Sequence, residues 1–222
     1  MTTEPSFWEQ PEVVARFAAR DPDHRLLALL PRYDRPAATR VLDLGCAGGR
    51  NTVLLAERGF DIHAVDASSA MAAETRRRLA AILGEAAARE RVRVGRMDDL
   101  GPYPDATFHL VIALGVLHAA HGWPEWRRAF AEVVRVLRPG GRLLLAHFSP
   151  ETDPTGEGVR AVPDEPHVFE GLHGGHGVLL TVAELDAQAA EHGLRPELPT
   201  TTGETRTDPG RRVSVNALYR KD

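Results

Sequence analysis

Val-Leu-Asp-Leu-Gly-Cys-Ala-Gly-Gly-Arg-Asn, residues 41–51, runs through a helical stretch to His63-Ala-Val-Asp66. An apolar strand enters a glycine-rich turn, the turn opens a helix, and a second apolar strand ends in a carboxylate. Gly45, Gly48 and Gly49 lack the Cβ that would hold a ligand away from the backbone. Asp66 follows the turn by about 20 residues, where a carboxylate can accept both hydroxyls of a ribose. The layout predicts a nucleoside cleft at the ends of two neighbouring strands.

The spacing narrows the nucleoside. A dinucleotide fingerprint, G-x-G-x-x-G, needs glycine at 45, 47 and 50, and this chain has Ala47 and Arg50. Asp43 also precedes the first glycine. A pyrophosphate wants a helix N-terminus without a carboxylate beside it, whereas an ammonium and a sulfonium tolerate one. Asp43-Leu-Gly-Cys-Ala-Gly-Gly49 resembles the D-x-G-x-G-x-G motif of class I S-adenosylmethionine (SAM) methyltransferases, with Ala47 at the middle glycine.

The resemblance covers residues 41–148 and implies an α/β fold. It would be a Rossmann-like, doubly wound, mostly parallel seven-stranded sheet that ends in an antiparallel hairpin. It also implies SAM as cofactor. Asp43, Gly45 and Gly49 would face the methionine end, with Cys46, Ala47 and Asn51 in the same turn. Asp66, followed by Ala67, would take the ribose. Arg93-Val-Gly-Arg-Met-Asp-Asp-Leu100 resembles the family's adenine segment. Arg96 stands where the family often has Asp, which moves the adenine contact to Asp98 with Met97 flanking the base. Ala113-Leu-Gly-Val-Leu-His118 resembles the segment after strand four and places Leu114 beside the cofactor. It lacks the Asn/Asp-Pro-Pro-Tyr/Phe box of enzymes that methylate bases, which favours a small-molecule acceptor.

Composition agrees. The 222 residues suffice for one α/β domain, 1–222, with its own core. A net charge of -4 argues against a broad nucleic-acid surface. The longest apolar run, near Leu110 to Leu117, is too short for a membrane span. The start, Met-Thr-Thr-Glu-Pro-Ser-Phe-Trp, lacks the basic and apolar regions of a signal peptide, so a cytoplasmic protein is expected. Cys46 is the sole cysteine, which excludes an internal disulfide and a cysteine zinc cluster. It reads as a small buried thiol beside the ligand. The sequence is silent on oligomeric state.

Residues 1–39 read as a helical cap, with Phe7 and Trp8 expected to pack on the core or face substrate. Strands are expected over 40–44, 61–66, 91–95, 108–114 and 142–148, alternating with helices over 50–58, 69–83 and 123–137. The 40–148 core then alternates as a parallel sheet with helices on both faces requires. Arg76-Arg77-Arg78 reads as a solvated face. Residues 149–180, rich in Gly, Pro and His, read as a long loop. Thr181 to Glu184 has capping-box spacing and opens a helix. Strands near 194–201 and 213–219 complete the segment 181–222.

His118, at the mouth of the expected cleft, is a candidate general base or substrate ligand. His147, at the end of strand five, is a second candidate. His167, His173 and His176 include a His-x-x-His pair, but glycine-rich loops hold metals poorly and no metal is expected. A narrower resemblance concerns Gly48-Gly-Arg-Asn51 and Gly203-Glu-Thr-Arg-Thr-Asp-Pro-Gly-Arg-Arg-Val213. Both are similar to segments of tellurite-resistance (TehB-like) methyltransferases. That family's arginines at a substrate oxyanion would correspond to Arg206 and Arg212. Thr205 replaces its histidine. A neutral acceptor needs a base such as His118, and an anionic one needs positioning arginines. Two acceptor classes follow, an organic small molecule and a tellurite-like oxyanion, beside a SAM-binding accessory domain without turnover.

Overall fold

A computed structural model describes residues 6–172 and 175–222. The chain start and His173 therefore lie outside the described residues. Two compact units are distinguished: residues up to Met97 together with Phe108–Leu110, and Asp98–Thr107 together with Val111–Asp222.

The first unit opens with a 3-10 turn, Phe7–Glu9, and two short helices, α1 (Pro11–Ala18) and α2 (His24–Leu29). Pro11 starts α1 where a missing N–H costs nothing. Asp23 caps α2 by accepting from Arg25 N. The expected alternation follows: β1 (Arg40–Leu44), α3 (Arg50–Glu57), β2 (Asp61–Asp66) and α4 (Ser69–Leu83). Next come α5 (Glu85–Arg91), which the sequence reading lacked, and β3 (Val92–Val94). β1 pairs parallel with β2 from Arg40↔Asp61 to Leu44↔Val65, and β2 pairs parallel with β3. Leu42, Leu55, Ile62 and Leu79 are fully buried, so the apolar strands sandwich with one face of each helix.

The second unit contains most of β4 (Phe108–Leu114), then α6 (Trp123–Val136) and β5 (Leu137–Phe148). β5 starts five residues earlier than the expected Arg142 and runs through the Pro-Gly-Gly step. The segment expected as a loop over 149–180 instead carries β6 (Arg160–Ala161), β7 (Val168–Leu172) and β8 (Gly175–Val178). These form a separate antiparallel three-stranded sheet. Backbone pairing, not side-chain periodicity, makes it, which is why the pattern was invisible. α7 (Val182–Glu191) opens with the expected capping box from Thr181 and Glu184. β9 (Leu194–Pro196), β10 (Thr201–Arg206) and β11 (Arg211–Lys221) end the chain.

Within this unit the order is β10-β11-β5-β4, with β9 also on β11. β10 and β11 form the expected antiparallel hairpin, and β11 runs antiparallel to β5. In place of the single strand expected near 194–201 there are two, β9 and β10, each paired antiparallel with β11. Among the described residues, no helix is long and apolar enough to cross a membrane.

Candidate active site

The turn between β1 and α3 is built by backbone conformation. Gly45 and Gly49 adopt φ of 71° and 81°, and Ala47 adopts 48°. Gly45 N and Cys46 N donate to Val65 O at 2.8 and 3.1 Å, which ties the turn to the end of β2. The missing side chains of the last two glycines serve packing. A Cβ on Gly48 would lie 2.6 Å from the Ala18 backbone, and one on Gly49 2.9 Å from Thr75 Oγ1. These two glycines admit the end of α1 and the side of α4.

Asp66 ends β2 with both carboxylate oxygens fixed. Oδ2 accepts from Ala47 N at 2.8 Å and Oδ1 from Ser68 N at 2.9 Å. Burial pushes its carboxyl above the usual range, opposed by those two backbone donors, while the nearby Glu9 charge adds to the rise. Asp43, 3% exposed, accepts from Thr52 Oγ1 at 2.7 Å. Burial raises it to about 6, with Asp66 adding to the rise and Thr52 and Arg50 opposing it. Cys46 is buried against Thr75 Oγ1 at 3.7 Å, and burial holds its thiol well above the ordinary value. It is a small buried thiol, as expected. Asn51 is buried and its Oδ1 accepts from Asp23 N at 3.0 Å, so it anchors the N-terminal segment to α3. Ala67 is exposed beside Asp66, and Met97 is half-buried.

The cap is stitched to this turn. Trp8 O accepts from Ser68 Oγ at 2.9 Å, and the Glu9 carboxylate accepts from Ser69 N and Ala70 N at 2.8 and 3.2 Å. Arg50 Nη1 donates to Asp21 O, away from the turn. Arg78 Nη1 donates to both Ala18 O and Gly48 O, and Arg76 Nε to Val92 O. Only Arg77 of that triplet is solvated, paired with Glu74. Phe7 and Trp8 are 44% and 46% exposed, stacked edge-on with each other rather than packed in the core. Sequence reasoning missed Ser68, Thr52 and Thr75. Only Ser68 left a signal, as an N-cap residue directly before a helical run.

In the second unit, Asp98 accepts from Arg128 Nη2 at 3.1 Å, so its carboxylate already has a guanidinium partner. Leu114 ends β4, half-buried. His147 is fully buried. Trp126 Nε1 donates to its Nε2 at 2.8 Å, so its Nδ1 carries the proton and faces Phe148 O at 3.0 Å. Both nitrogens are engaged, and burial lowers its pKa to about 4, which makes it a structural residue. The His118 ring stacks on Phe148 at 3.8 Å, with Nδ1 buried and unpartnered. Burial first, then His147 and Arg212, lower His118 to about 3.

Arg206 and Arg212 do not converge. Arg206 pairs with Arg211 across the hairpin and Thr205 with Arg212, so the two expected partners project from opposite faces. His167 lies 4.5 Å from the Trp123 ring and 3.4 Å from Glu184, and His176 is exposed. Among the described residues, no group of three or more His, Cys, Asp or Glu could hold a metal.

The donor set at the turn suits a cationic nucleoside. Two buried carboxylates flank it, and the guanidinium groups of Arg50 and Arg78 are engaged by the backbone carbonyls of Asp21, Ala18 and Gly48. A pyrophosphate would meet repulsion there, while a ribose with an attached cation would not.

Comparisons with known proteins agree. Residues 41–141 match a family described as a methyltransferase domain. The 27-O-demethylrifamycin SV methyltransferase of Amycolatopsis mediterranei is 31% identical over 198 residues, 86% of this chain and 65% of that protein. This chain thus spans just under two thirds of that relative's length. A SAM-dependent methyltransferase structure from Methanosarcina mazei aligns with TM-score 0.63 and 20% identity, over 91% of this chain and 99% of that one. The Burkholderia thailandensis 1,6-didemethyltoxoflavin-N1-methyltransferase, solved with 1,6-didemethyltoxoflavin and S-adenosylhomocysteine, gives TM-score 0.64 and 23% identity. That alignment covers 94% of this chain and 78% of that one. The fold is therefore that of the Rossmann-like methyltransferases. The tellurite-resistance likeness is not shown by these comparisons.

Proposed function

We propose that this chain is a SAM-dependent methyltransferase acting on a small molecule, with residues 1–222 as its single domain. Asp66 carries the reading. It is a carboxylate at the carboxyl end of a parallel strand, where α/β sheets bind ligands. Each oxygen already accepts one backbone N–H and keeps acceptor capacity for one ribose hydroxyl. Gly45, Cys46, Ala47, Gly49 and Asn51 shape the turn that receives the methionyl end. Asp43 supplies buried negative charge for the cationic groups there, and Ala67 and Met97 border the nucleoside.

When bound, SAM supplies a methyl group on a sulfonium, already attached to a good leaving group. The protein has to hold donor and acceptor in line and exclude water. Asp66 contributes orientation, because its rotamer is locked before the ligand arrives. The match over residues 41–141 and the methyltransferase relatives support the assignment. The tellurite-like acceptor loses its basis with the divergence of Arg206 and Arg212.

Calorimetry with S-adenosylhomocysteine tests the reading. Asp66→Asn keeps the shape and removes the charge, which should cost about 1.5–3 kcal/mol, or about ten- to a hundred-fold in affinity. Unchanged affinity would reject Asp66 as the ribose ligand. Release of S-adenosylhomocysteine from SAM with an acceptor separates an enzyme from a binding domain without turnover.

A further inference from the structure

We infer that two copies of this chain associate about a two-fold axis through β10, pairing antiparallel at their outer edges with Glu204 of each copy opposite Arg206 of the other. This goes beyond the methyltransferase reading and does not depend on it.

The free edge follows from the hydrogen bonds of β11. β10 lies at the end of the main sheet, and among the described residues no strand pairs with it besides β11. In an antiparallel pair, successive residues turn their N–H and C=O alternately toward and away from the neighbouring strand. Arg211 and Val213 turn theirs away from β10. Arg211 exchanges both bonds with Asp153, at 2.7 and 2.9 Å. Val213 O accepts from Ser149 N at 2.9 Å, and Val213 N donates to Thr152 Oγ1 at 3.1 Å. Their cross-strand neighbours, Arg206 and Glu204, therefore turn their backbone groups to the outer edge, as does Thr202 opposite Val215. Every residue of β10 is exposed, and neither proline nor lysine blunts the strand.

Charge sets the partner and the register. Glu204 and Arg206 are the charged residues of β10, one of each sign. Within one copy Arg206 stands directly opposite Arg211, a like-charge pair. Glu204 lies 3.6 Å from Arg211, which leaves Arg206 without an ion pair among the described residues. A second copy placed with its Thr205 opposite Thr205 brings each Glu204 opposite the other copy's Arg206. Both pairs then join opposite charges, and both exchange their outward backbone bonds. Moving the two-fold axis to Glu204 or to Arg206 would set two carboxylates or two guanidiniums face to face. Glu204-Thr-Arg206 is thus complementary to itself under a two-fold rotation, as an isologous interface must be.

The two kinds of contact have different tasks. Backbone bonds along the added strand supply the attraction. The exposed ion pairs add little affinity and fix the register, because the alternatives oppose like charges. A strand of this length buries a small area, so the association is weak, and salt weakens it further.

Sedimentation equilibrium of the full chain over roughly 5–500 µM tests the interface, a range suited to so small a contact. The wild type should pass from monomer to dimer. Glu204→Arg and Arg206→Glu should each weaken the dimer about tenfold or more, since each sets like charges opposite one another. Mixed in equal amounts, the two variants should associate again, because the arginines of one meet the glutamates of the other. Thr205→Cys puts one thiol of each copy at the two-fold axis, in a non-hydrogen-bonded pair with Cα atoms about 4.5 Å apart, and should cross-link under mild oxidation. Thr202→Cys should not, and Cys46 is buried and gives no background. All variants should melt with the wild type when dilute, which controls for folding. A chain that stays monomeric throughout overturns the inference. So does a dimer indifferent to both charge reversals, a mixture of the two variants that stays monomeric, or a Thr202→Cys protein that cross-links as readily as Thr205→Cys.

Discussion

Ala47 holds φ at 48°, a region that costs an L-residue about 1–2 kcal/mol and that glycine enters freely. It persists because both ends of the residue are engaged. Its N–H donates to Asp66 at 2.8 Å, and its carbonyl accepts from Thr75 Oγ1 at 2.6 Å. Ala47→Gly should relieve the strain and lose part of the gain to the freer unfolded chain, a net stabilisation of about 0.5–1 kcal/mol. Scanning calorimetry should then show Tm higher by about 1–4 °C. A lower Tm would mean that the methyl group packs usefully and the strain is small. At this scale the sequence was readable where chemistry is local. Asp43, Asp66 and the glycine spacing announce themselves over a few positions. Arg76 and Arg78 misled because their acceptors, Val92 O and Ala18 O, are distant in the chain and carry no side-chain signature.

Among elements, α1 depends on the turn it crosses. The backbone of Ala18 occupies the space a Cβ on Gly48 would need, and Arg78 bonds to the carbonyls of both residues. Glu9 adds an N-cap for α4 from 60 positions away, through Ser69 N and Ser69 Oγ. Its carboxyl is held low chiefly by the Ser68 hydroxyl, with burial opposing. Gly48→Ala should push α1 off the turn at a cost of about 1–3 kcal/mol. Hydrogen exchange over residues 11–18 should accelerate with it. Gly59→Ala is the control, since Gly59 has φ of 77° but nothing within 4 Å of an added Cβ. It should lose stability without selective exposure of α1. Equal exchange in the two variants would show that the contact does not hold the cap. Helix α4 was legible to the residue because Ser68 and Gly84 bracket a regular pattern. The β6–β8 sheet was not, because Gly175 and Gly177 pair through backbone and leave no alternation to read.

Across the whole molecule, buried imidazoles set the response to acid. Burial is the first cause that lowers His63 and His147 to about 4 and His118 to about 3. Each is neutral when folded and free to protonate when unfolded, starting at its ordinary pKa of about 6.5. Between those two values the unfolded chain binds more protons, so stability rises with pH from about 4 to about 6.5. Asp43 acts in the opposite sense. Its folded carboxyl is raised to about 6, so its contribution declines as pH climbs from the unfolded value of 3.8. Burial raises Asp66 too, and it opposes in the same way. Asp23 and Asp61, held low by arginine partners, lose their contribution only as pH falls below the carboxylate range, which adds to the acid side of the slope. Three histidines against two raised carboxylates leave a net gain toward neutrality. Fully buried His147 alone contributes about 1.4 kcal/mol per pH unit between its two pKa values. Urea unfolding at pH 4.5, 5.5 and 7 should therefore give midpoints that increase with pH. His147→Gln should lie lower overall, from loss of the Trp126 partner, and rise less steeply. A wild-type midpoint that stays flat or falls toward pH 7 would show that the two carboxylates dominate, and that the imidazoles are reached by water in the folded chain.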